Sequence, residues 1–224
     1  MAAATAAGMD YARRMMVERQ IRTWDVLDQR VLDLLESLPR ERFVPDRHRN
    51  LAYADTEVPL GDGQIMMAPK VEGRMLQALD VRPDDSILEI GTGSGFITAC
   101  LASFGREVLS CDIRDAFLPG ARAALHDLDL DEKVEFQHQD CARVDWTDRR
   151  FDVICVTGSM PVLDPSFADH LEIGGRLFVV VGQAPAMEAL LLTRIDENEW
   201  ARESLFETIL PPLDNAPAPS PFSF

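Results

Sequence analysis

The stretch that decides the fold is Glu89-Ile90-Gly91-Thr92-Gly93-Ser94-Gly95. An apolar run, Ser86-Ile87-Leu88, precedes it, and residues 96–102 follow with apolar residues at helical spacing. This order predicts a strand, a glycine-rich turn and a helix. Glycines allow positive φ and a close approach of the backbone to a ligand, and a helix start directs free N–H groups and a positive dipole end into the same space. We therefore expect the turn to hold a polar, nucleotide-like ligand.

Strand and helix patterns alternate through the rest of the chain. Apolar runs predict a strand from Ser86 into the turn, parallel strands at 107–112, 134–138, 151–156 and 176–181, and an antiparallel pair at 190–195 and 203–210. A helix is predicted at 116–128, with Pro119 in its first turn, where proline is tolerated. The alternation is typical of an α/β fold with a doubly wound, mostly parallel, seven-stranded sheet and an N-terminal helical extension.

The chain before Ser86 is less regular. We expect a disordered lead at residues 1–9, a helical and loop extension at 10–80, a sheet domain at 81–214 and a Pro-rich tail at 215–224. Within the extension, an incomplete helical stripe covers 10–21, and helices are predicted at 27–38, which Pro39 ends, and at 71–79. Residues 40–64 contain many turn signals and no periodic element, and loops of this length are often functional.

Composition and charge argue against several classes of function. The 224 residues carry a formal net charge of −16, and such an acidic surface repels nucleic acid and anionic lipid. No apolar stretch approaches the ~20 residues of a membrane-spanning helix, and the N-terminus has neither the basic nor the apolar region of a signal peptide. The four cysteines form no CxxC pair and the four histidines have no metal-ligand spacing. This usage predicts a cytoplasmic protein with no structural disulfide and no metal.

Polar residues cluster at the predicted carboxyl ends of the strands, where open α/β sheets bind their ligands. They are Glu89, Gly91, Thr92, Gly93, Ser94, Gly95, Asp112, Asp140 and Thr157. The third glycine of the dinucleotide fingerprint is replaced by Phe96, and the Gly-Lys-Ser/Thr of a phosphate loop is absent. A carboxylate at Asp112 offers paired acceptors to two ribose hydroxyls, so the site suits a cationic nucleoside, S-adenosyl-L-methionine. The alternative is a tight strand–helix junction without a ligand, and for Asp140 a surface loop carboxylate.

Six segments form a collinear series along the chain. They are Met16-Val17-Glu18-Arg19-Gln20-Ile21, Pro39-Arg40-Glu41-Arg42-Phe43-Val44-Pro45, Ala52-Tyr53-Ala54-Asp55, Gly61-Asp62-Gly63-Gln64, Leu88-Glu89-Ile90-Gly91-Thr92-Gly93-Ser94-Gly95 and Pro212-Leu213. The series resembles the protein-L-isoaspartate O-methyltransferase family. The resemblance implies a Rossmann-like class I methyltransferase fold, S-adenosylmethionine as donor and S-adenosylhomocysteine as product. It also implies that residues 10–80 lie on the acceptor side and that 81–214 form the donor-binding domain.

The same resemblance implies roles for single residues. Glu89 and the glycine turn would hold the methionine part of the donor, and Asp112 its ribose. Asp140 and Cys141 would hold the adenine. Two of these positions differ mildly from the family's usual residues, because the family has Glu at Asp112 and Gly at Cys141.

The family pattern changes more strongly after Gln64. The family usually continues with Thr-Ile-Ser, whereas this chain has Ile65-Met66-Met67, so both hydroxyl positions are apolar. By the resemblance, the serine position, here Met67, lies where the substrate carboxylate meets the methyl donor. Gln64 and Met67 are therefore the candidate catalytic positions on the acceptor side. Met66 and Met67 also suit a packing role, since methionine fills gaps in a core.

Three interpretations stay open. The first is an active methyltransferase with an altered, more apolar acceptor site. The second is an isoaspartyl protein-repair methyltransferase that tolerates Met67, and the third is a non-catalytic protein that binds S-adenosylmethionine or S-adenosylhomocysteine. The methyl acceptor is a protein, a peptide or a small molecule, and neither nucleic acid nor membrane is expected as a partner. The oligomeric state, including a homodimer, is also open.

Overall fold

The computed structural model describes residues 2–141 and 149–217. The helices are α1 (Ala2–Met16), α2 (Gln29–Ser37), α3 (Pro69–Leu79), α4 (Phe96–Phe104), α5 (Leu118–His126) and α6 (Pro165–Asp169). The strands are β1 (Val58–Gly61), β2 (Gln64–Met66), β3 (Ser86–Ile90), β4 (Glu107–Asp112), β5 (Val134–His138), β6 (Phe151–Met160), β7 (Leu171–Gln183), β8 (Ala186–Asp196) and β9 (Glu199–Glu207). A π-helical segment spans Val17–Ile21, and 3₁₀ segments span Arg22–Trp24, Arg40–Arg42, Asp46–Leu51, Asp115–Phe117 and Asp131–Lys133.

Seven strands form one sheet in the order β5-β4-β3-β6-β7-β8-β9. Strands β3 to β7 are parallel, whereas β8 is antiparallel to both of its neighbours. The chain passes from β3 to β4 and β5 and then returns to β6 on the other side of β3, so the strand order reverses between β3 and β6. A crevice forms beyond the carboxyl ends of the strands at such a switch point. The sheet predicted from sequence is confirmed.

The sheet is buried on both faces, because successive side chains of a strand point to opposite sides. In β3, Ile87 joins a larger core cluster that includes the N-terminal helices, whereas Leu88 joins a second cluster on the other face. In α4 all residues from Phe96 to Ala102 are buried. Each fully buried Leu or Ile side chain contributes about 1.5–3 kcal/mol. The glycine turn therefore connects two elements that are packed into the core.

The N-terminal part is more regular than the sequence analysis predicts. Residues 2–9, expected to be a disordered lead, belong to α1, and the Ala-rich composition there has a high intrinsic helix propensity. Within 40–64, where no regular element is predicted, β1 and β2 pair as an antiparallel hairpin around Asp62-Gly63. Both turn residues have positive φ, 50° and 74°, which is the conformation of a two-residue Asp-Gly turn. Strands this short carry too few residues for periodicity to reveal them.

The remaining predictions differ from the structure mainly at element ends. Helix α5 has Pro119 in its first turn, as predicted. Strand β6 continues past Val156 to Met160, and β9 begins at Glu199 instead of residue 203. Of the predicted Pro-rich tail, residues 218–224 lie outside the described residues. In the described part of the chain, no helix combines the length and the apolar character needed to cross a membrane.

Candidate active site

A cavity of about 850 Å³, including its open mouth, lies beyond the carboxyl ends of β3, β4, β5 and β6. Ten of the residues singled out in the sequence line it: Gln64, Met67, Gly91, Thr92, Gly93, Ser94, Asp112, Asp140, Cys141 and Thr157. The fold thus brings together the turn, the strand ends and the segment after Gln64, which are far apart in sequence. Glu89 and Gly95 were also singled out, but they lie behind the cavity lining.

The conformation of the glycine turn explains why glycine is needed at its two ends. Gly91 and Gly95 have φ of 98° and 82°, values that residues with a Cβ rarely adopt. A Cβ at Gly91 would lie 2.3 Å from Thr157 Oγ1, and one at Gly95 would lie 2.7 Å from the Cβ of Ala121 in α5. Thr157 Oγ1 donates a hydrogen bond to the carbonyl of Gly91 at 2.6 Å. The turn is therefore fastened to β6 on one side and packed against α5 on the other.

Asp112, at the end of β4, is held in one orientation by the backbone. Its Oδ2 accepts the N–H of Gly93 at 2.9 Å, and its Oδ1 accepts the N–H of Arg114 at 2.8 Å. The residue is only 6% exposed and lines the cavity. A carboxylate oxygen has two lone pairs, so each oxygen keeps acceptor capacity for a ligand. An oriented pair of acceptors is the arrangement that two neighbouring hydroxyl groups require.

Glu89 lies behind the glycine turn and not in the cavity lining. Thr98 Oγ1 and Ser110 Oγ each donate to its Oε2 at 2.5 Å, and Thr92 Oγ1 lies 2.6 Å from Ser110 Oγ. Burial raises the pKa of Glu89 to about 8, against the opposing effect of the two hydroxyl donors. Its Oε1 is buried without a hydrogen-bond partner among the described residues. Glu89 thus supports the turn from behind, through Ser110 and Thr92, because its side chain points to the α4 face of the sheet.

Cys141 lies beside Cys111 in the part of the cavity next to Asp140. Both thiols are buried and free. The hydrogen bond with Cys111, burial and the negative charges of Asp140 and Asp112 all raise the pKa of the Cys141 thiol. The Cys141 thiol therefore stays neutral and presents a polarizable, weakly polar surface, which suits contact with an aromatic base.

The segment after Gln64 forms the opposite side of the cavity. Leu60 of β1 lies against the glycine turn, with its Cδ1 3.3 Å from the place of a Gly93 Cβ. Ile65 and Met67 line the cavity, and Met67 is 4% exposed and also packs in the larger core cluster. The packing and ligand-contact interpretations of Met67 are therefore compatible. This side of the cavity is apolar except for Gln64 and Glu72.

The C-terminal segment contributes residues that the sequence analysis missed. Pro211, Pro212, Leu213 and Asp214 line the cavity. The segment is fastened to β6, since Ser159 N donates to the carbonyl of Pro211 at 2.9 Å. Two side-chain contacts join it to the strand ends: Asp214 forms an ion pair with Arg114 at 2.8 Å, and Asn215 donates to Asp140 at 2.8 Å. Only the short Pro212-Leu213 match pointed to this segment, because a loop contact across about a hundred residues leaves no periodic signal.

Comparison with known proteins identifies the family. The family model of protein-L-isoaspartate(D-aspartate) O-methyltransferase matches residues 12–216. The chain belongs to this family. A protein-L-isoaspartate O-methyltransferase 2 of Marinobacter nauticus is 35% identical over 207 residues, covering 90% of this chain and 92% of the relative. A protein-L-isoaspartate O-methyltransferase of Rhodopseudomonas palustris is 36% identical over 199 residues, covering 88% and 91%.

Solved structures show the same fold. One, described as a protein-L-isoaspartate O-methyltransferase from Plasmodium falciparum in complex with S-adenosyl-L-homocysteine, has a TM-score of 0.78 at 18% identity. The likeness covers 90% of this chain and 98% of that one. Another protein-L-isoaspartate O-methyltransferase has a TM-score of 0.74 at 20% identity, covering 89% and 65%. By its family, the protein is an S-adenosylmethionine-dependent methyltransferase, and the predicted fold class and donor are confirmed.

Proposed function

We propose that this protein transfers the methyl group of S-adenosylmethionine to an acceptor bound against Gln64, Ile65 and Met67, in a site more apolar than that of isoaspartyl repair enzymes. The observation that supports this proposal is the composition of one cavity. Its donor side carries an oriented carboxylate at Asp112, whereas its acceptor side carries methionine and isoleucine at the family's two hydroxyl positions. The donor half is thus equipped for its ligand and the acceptor half is changed.

On the donor side, the glycine turn would hold the methionine part, Asp112 the ribose, and Asp140 with Cys141 the adenine. Thr157 would act by fixing the turn, since it bonds to the carbonyl of Gly91. When bound, S-adenosylmethionine supplies a methyl group made electrophilic by the adjacent sulfonium. The carboxylates of the cavity suit the positive charge of that ligand better than a phosphate.

On the acceptor side, methyl transfer to a carboxylate depends mainly on orientation and on exclusion of water, because the nucleophile is already ionised near neutral pH. A hydroxyl that donates to the bound anion contributes about 1.5–3 kcal/mol as a charge-assisted hydrogen bond. Met67 has no such donor and occupies more space. Glu72, which also lines the cavity, adds no donor in its ionised form. We therefore expect one to two decades less activity toward an isoaspartyl carboxylate than with a serine at this position.

The second candidate function is isoaspartyl protein repair itself. It is favoured by the names of relatives that are 35–36% identical over about nine tenths of the chain. In that case Met67 would be tolerated because the protein supplies mostly orientation. For both functions we propose a protein or peptide acceptor, with a small molecule as the alternative, and a cytoplasmic location, which suits four buried free thiols. A homodimer is compatible with both.

The test compares the wild type with Met67→Ser, and uses Met66→Ser as a matched control. Met66 is also 4% exposed, lines the same cavity and belongs to the same core cluster, but it is not at the family's serine position. S-adenosylhomocysteine binding is measured by calorimetry, and methyl transfer is measured with an isoaspartyl peptide and its aspartyl counterpart.

We expect S-adenosylhomocysteine binding in all three proteins and a gain of isoaspartyl methylation of about tenfold or more in Met67→Ser alone. Wild-type turnover equal to that of Met67→Ser would instead establish the repair function and exclude the altered acceptor. Absence of S-adenosylhomocysteine binding would exclude both functions. Binding without methyl transfer to any peptide, in the wild type and in Met67→Ser, would support a non-catalytic binding protein.

A further inference from the structure

Arg40 is a buried cation beside the acceptor segment. Its side chain and that of Glu72 are each 1% exposed, and the two form an ion pair at 3.0 Å. Charged side chains are rarely buried, because the loss of hydration has to be offset by partners. A buried pair of this kind is often no more stabilising than apolar packing. Its position beside the acceptor segment therefore suggests a role other than general stability.

The guanidinium of Arg40 contacts three parts of the structure that meet at the cavity. Its Nη1 donates to Oε1 of Glu72 in the first turn of α3. Its Nη2 donates to the carbonyl of Met67 at 2.7 Å. Its Cζ lies 4.9 Å from the ring centroid of Phe96, the first residue of α4 after the glycine turn. One side chain thus joins the acceptor segment to the helix that begins at the donor turn.

Glu72 holds Arg40 mainly through charge. Only its Oε1 is bonded to the guanidinium, and its Oε2 is buried with no hydrogen-bond partner in the described part of the chain. Burial raises the pKa of Glu72 to about 7, and the charge of Arg40 opposes that rise. Glu72 also lines the cavity, as do Met67 and Ile97. Glu72 therefore reaches the cavity, whereas Arg40 lies behind the acceptor segment and bonds to its backbone.

We propose that Arg40 is a positioning residue that fixes the backbone of Met67 relative to the donor turn, and that Glu72 keeps Arg40 in place. The inference rests on the proposed function only in taking the Met67 segment as the place where the acceptor binds. Arg40 bonds to the backbone of Met67, so this role does not depend on which acceptor is used. Lysine cannot substitute, because a single ammonium cannot bond to a carboxylate and a carbonyl while it also stacks on a ring.

The chain contains a matched control in a second buried arginine. Arg176 is 8% exposed, pairs with Asp85 at 2.7 Å and donates to the carbonyls of Leu79 and Asp80. These partners lie at and beyond the carboxyl end of α3, away from the cavity lining. Arg176→Lys therefore removes the same kind of contacts as Arg40→Lys without touching the acceptor segment.

The experiment uses the full chain with ¹³C-labelled methionine methyl groups and bound S-adenosylhomocysteine, and assigns the Met67 signal with Met67→Leu. We expect Arg40→Lys to shift or broaden the Met67 methyl signal and Arg176→Lys to leave it unchanged. With the isoaspartyl peptide as substrate, Arg40→Lys should lower kcat about tenfold or more, since small misplacements of reacting groups in a site are costly. If only Met67→Ser methylates the peptide, Arg40→Lys is measured in the Met67→Ser background. Its affinity for S-adenosylhomocysteine should stay within about threefold of the wild type, because the donor contacts remain.

Glu72→Gln keeps the volume of the side chain and an acceptor oxygen for Arg40. It should change the Met67 signal and kcat in the same direction as Arg40→Lys, and it carries the test if Arg40→Lys fails to fold. An unchanged Met67 signal in the folded variants, or an equal loss of kcat in Arg176→Lys, would overturn the inference. The methyl signal is read without any acceptor, so absence of methyl transfer in both the wild type and Met67→Ser would overturn the proposed function and still leave this inference tested.

Discussion

Replacement of Asp112 is the most direct test of the donor site. In Asp112→Asn the side chain keeps its shape and one acceptor oxygen, whereas the other oxygen becomes an NH₂ group. In the wild type, the carboxylate accepts the backbone N–H groups of Gly93 and Arg114, so the new NH₂ group would face one of these two N–H groups. A donor opposite a donor cannot bond, so the variant loses one internal contact as well as one acceptor for the ligand. Asp112→Ala loses both backbone contacts and both acceptor oxygens.

The magnitude follows from the contacts. Each oxygen of Asp112 accepts one backbone N–H and has capacity for one ribose hydroxyl. A hydrogen bond to a charged group contributes about 1.5–3 kcal/mol, and roughly 1.4 kcal/mol is a factor of ten in affinity. Loss of one such bond should therefore weaken S-adenosylhomocysteine binding about 10- to 150-fold in Asp112→Asn, with a larger effect in Asp112→Ala.

The assay is calorimetric titration with S-adenosylhomocysteine and with its 2′-deoxy analogue. Asp115→Asn is the control. It removes the same charge from a nearby residue, but Asp115 is exposed and lies outside the lining of the donor cavity. The wild type should bind the deoxy analogue more weakly than S-adenosylhomocysteine, and Asp112→Ala should bind the two about equally. Unchanged affinity for S-adenosylhomocysteine in both Asp112 variants would refute the assignment of this residue to the ribose.

Two further predictions concern the glycine turn and the carboxyl behind it. In Gly91→Ala, the new Cβ would lie 2.3 Å from Thr157 Oγ1 at a φ of 98°. We therefore expect Tm to fall by at least ~2–4 °C, the effect of about 1 kcal/mol in a chain of this size. Gly120→Ala, where the new Cβ meets open space, should not lower Tm, and equal Tm values in the two variants would contradict the prediction. Burial raises the pKa of Glu89 from 4.5 to about 8, so folding favours its protonated form, and its contribution to stability is full below pH 4.5 and is lost as the pH rises to about 8. Thermal melts across that range should show a smaller loss of Tm with rising pH for Glu89→Gln than for the wild type. Glu72, whose pKa is also raised, contributes a loss of the same direction in both proteins. Equal losses of Tm in the two proteins would show that Glu89 does not titrate in this range.

Glu89 shows where inference from sequence stops. The sequence places the acidic residue Glu89 two positions before Gly91, at the start of the turn. Because successive side chains of a strand point to opposite faces of the sheet, this position alone does not show which face Glu89 occupies. Ile90 lines the cavity, so Glu89 points to the other face and meets Thr98 and Ser110. A pattern of residue types identifies the strand end without specifying which alternate residue contacts the ligand.

The acceptor side shows a second limit. That Ile65 and Met67 depart from the pattern implied by the resemblance can be inferred from the sequence. The hairpin that carries Ile65 cannot, because its strands are too short for a periodic signal. The contact of Arg40 with Met67 is equally invisible. Arg40 and Met67 are joined only when the 3₁₀ segment, α3 and α4 pack together.

The sequence alone determined the sheet, the glycine turn and the family, because buried strands and turns are encoded locally in apolar periodicity and in residues that tolerate positive φ. It also singled out Met67 as a departure from the pattern that the resemblance implies. Tertiary structure alone decided that the C-terminal segment lines the cavity, that Glu89 supports the turn from behind, and that the buried Arg40 contacts Glu72, the Met67 backbone and Phe96. These features depend on contacts between segments distant along the chain, and such contacts are set by how the layers pack.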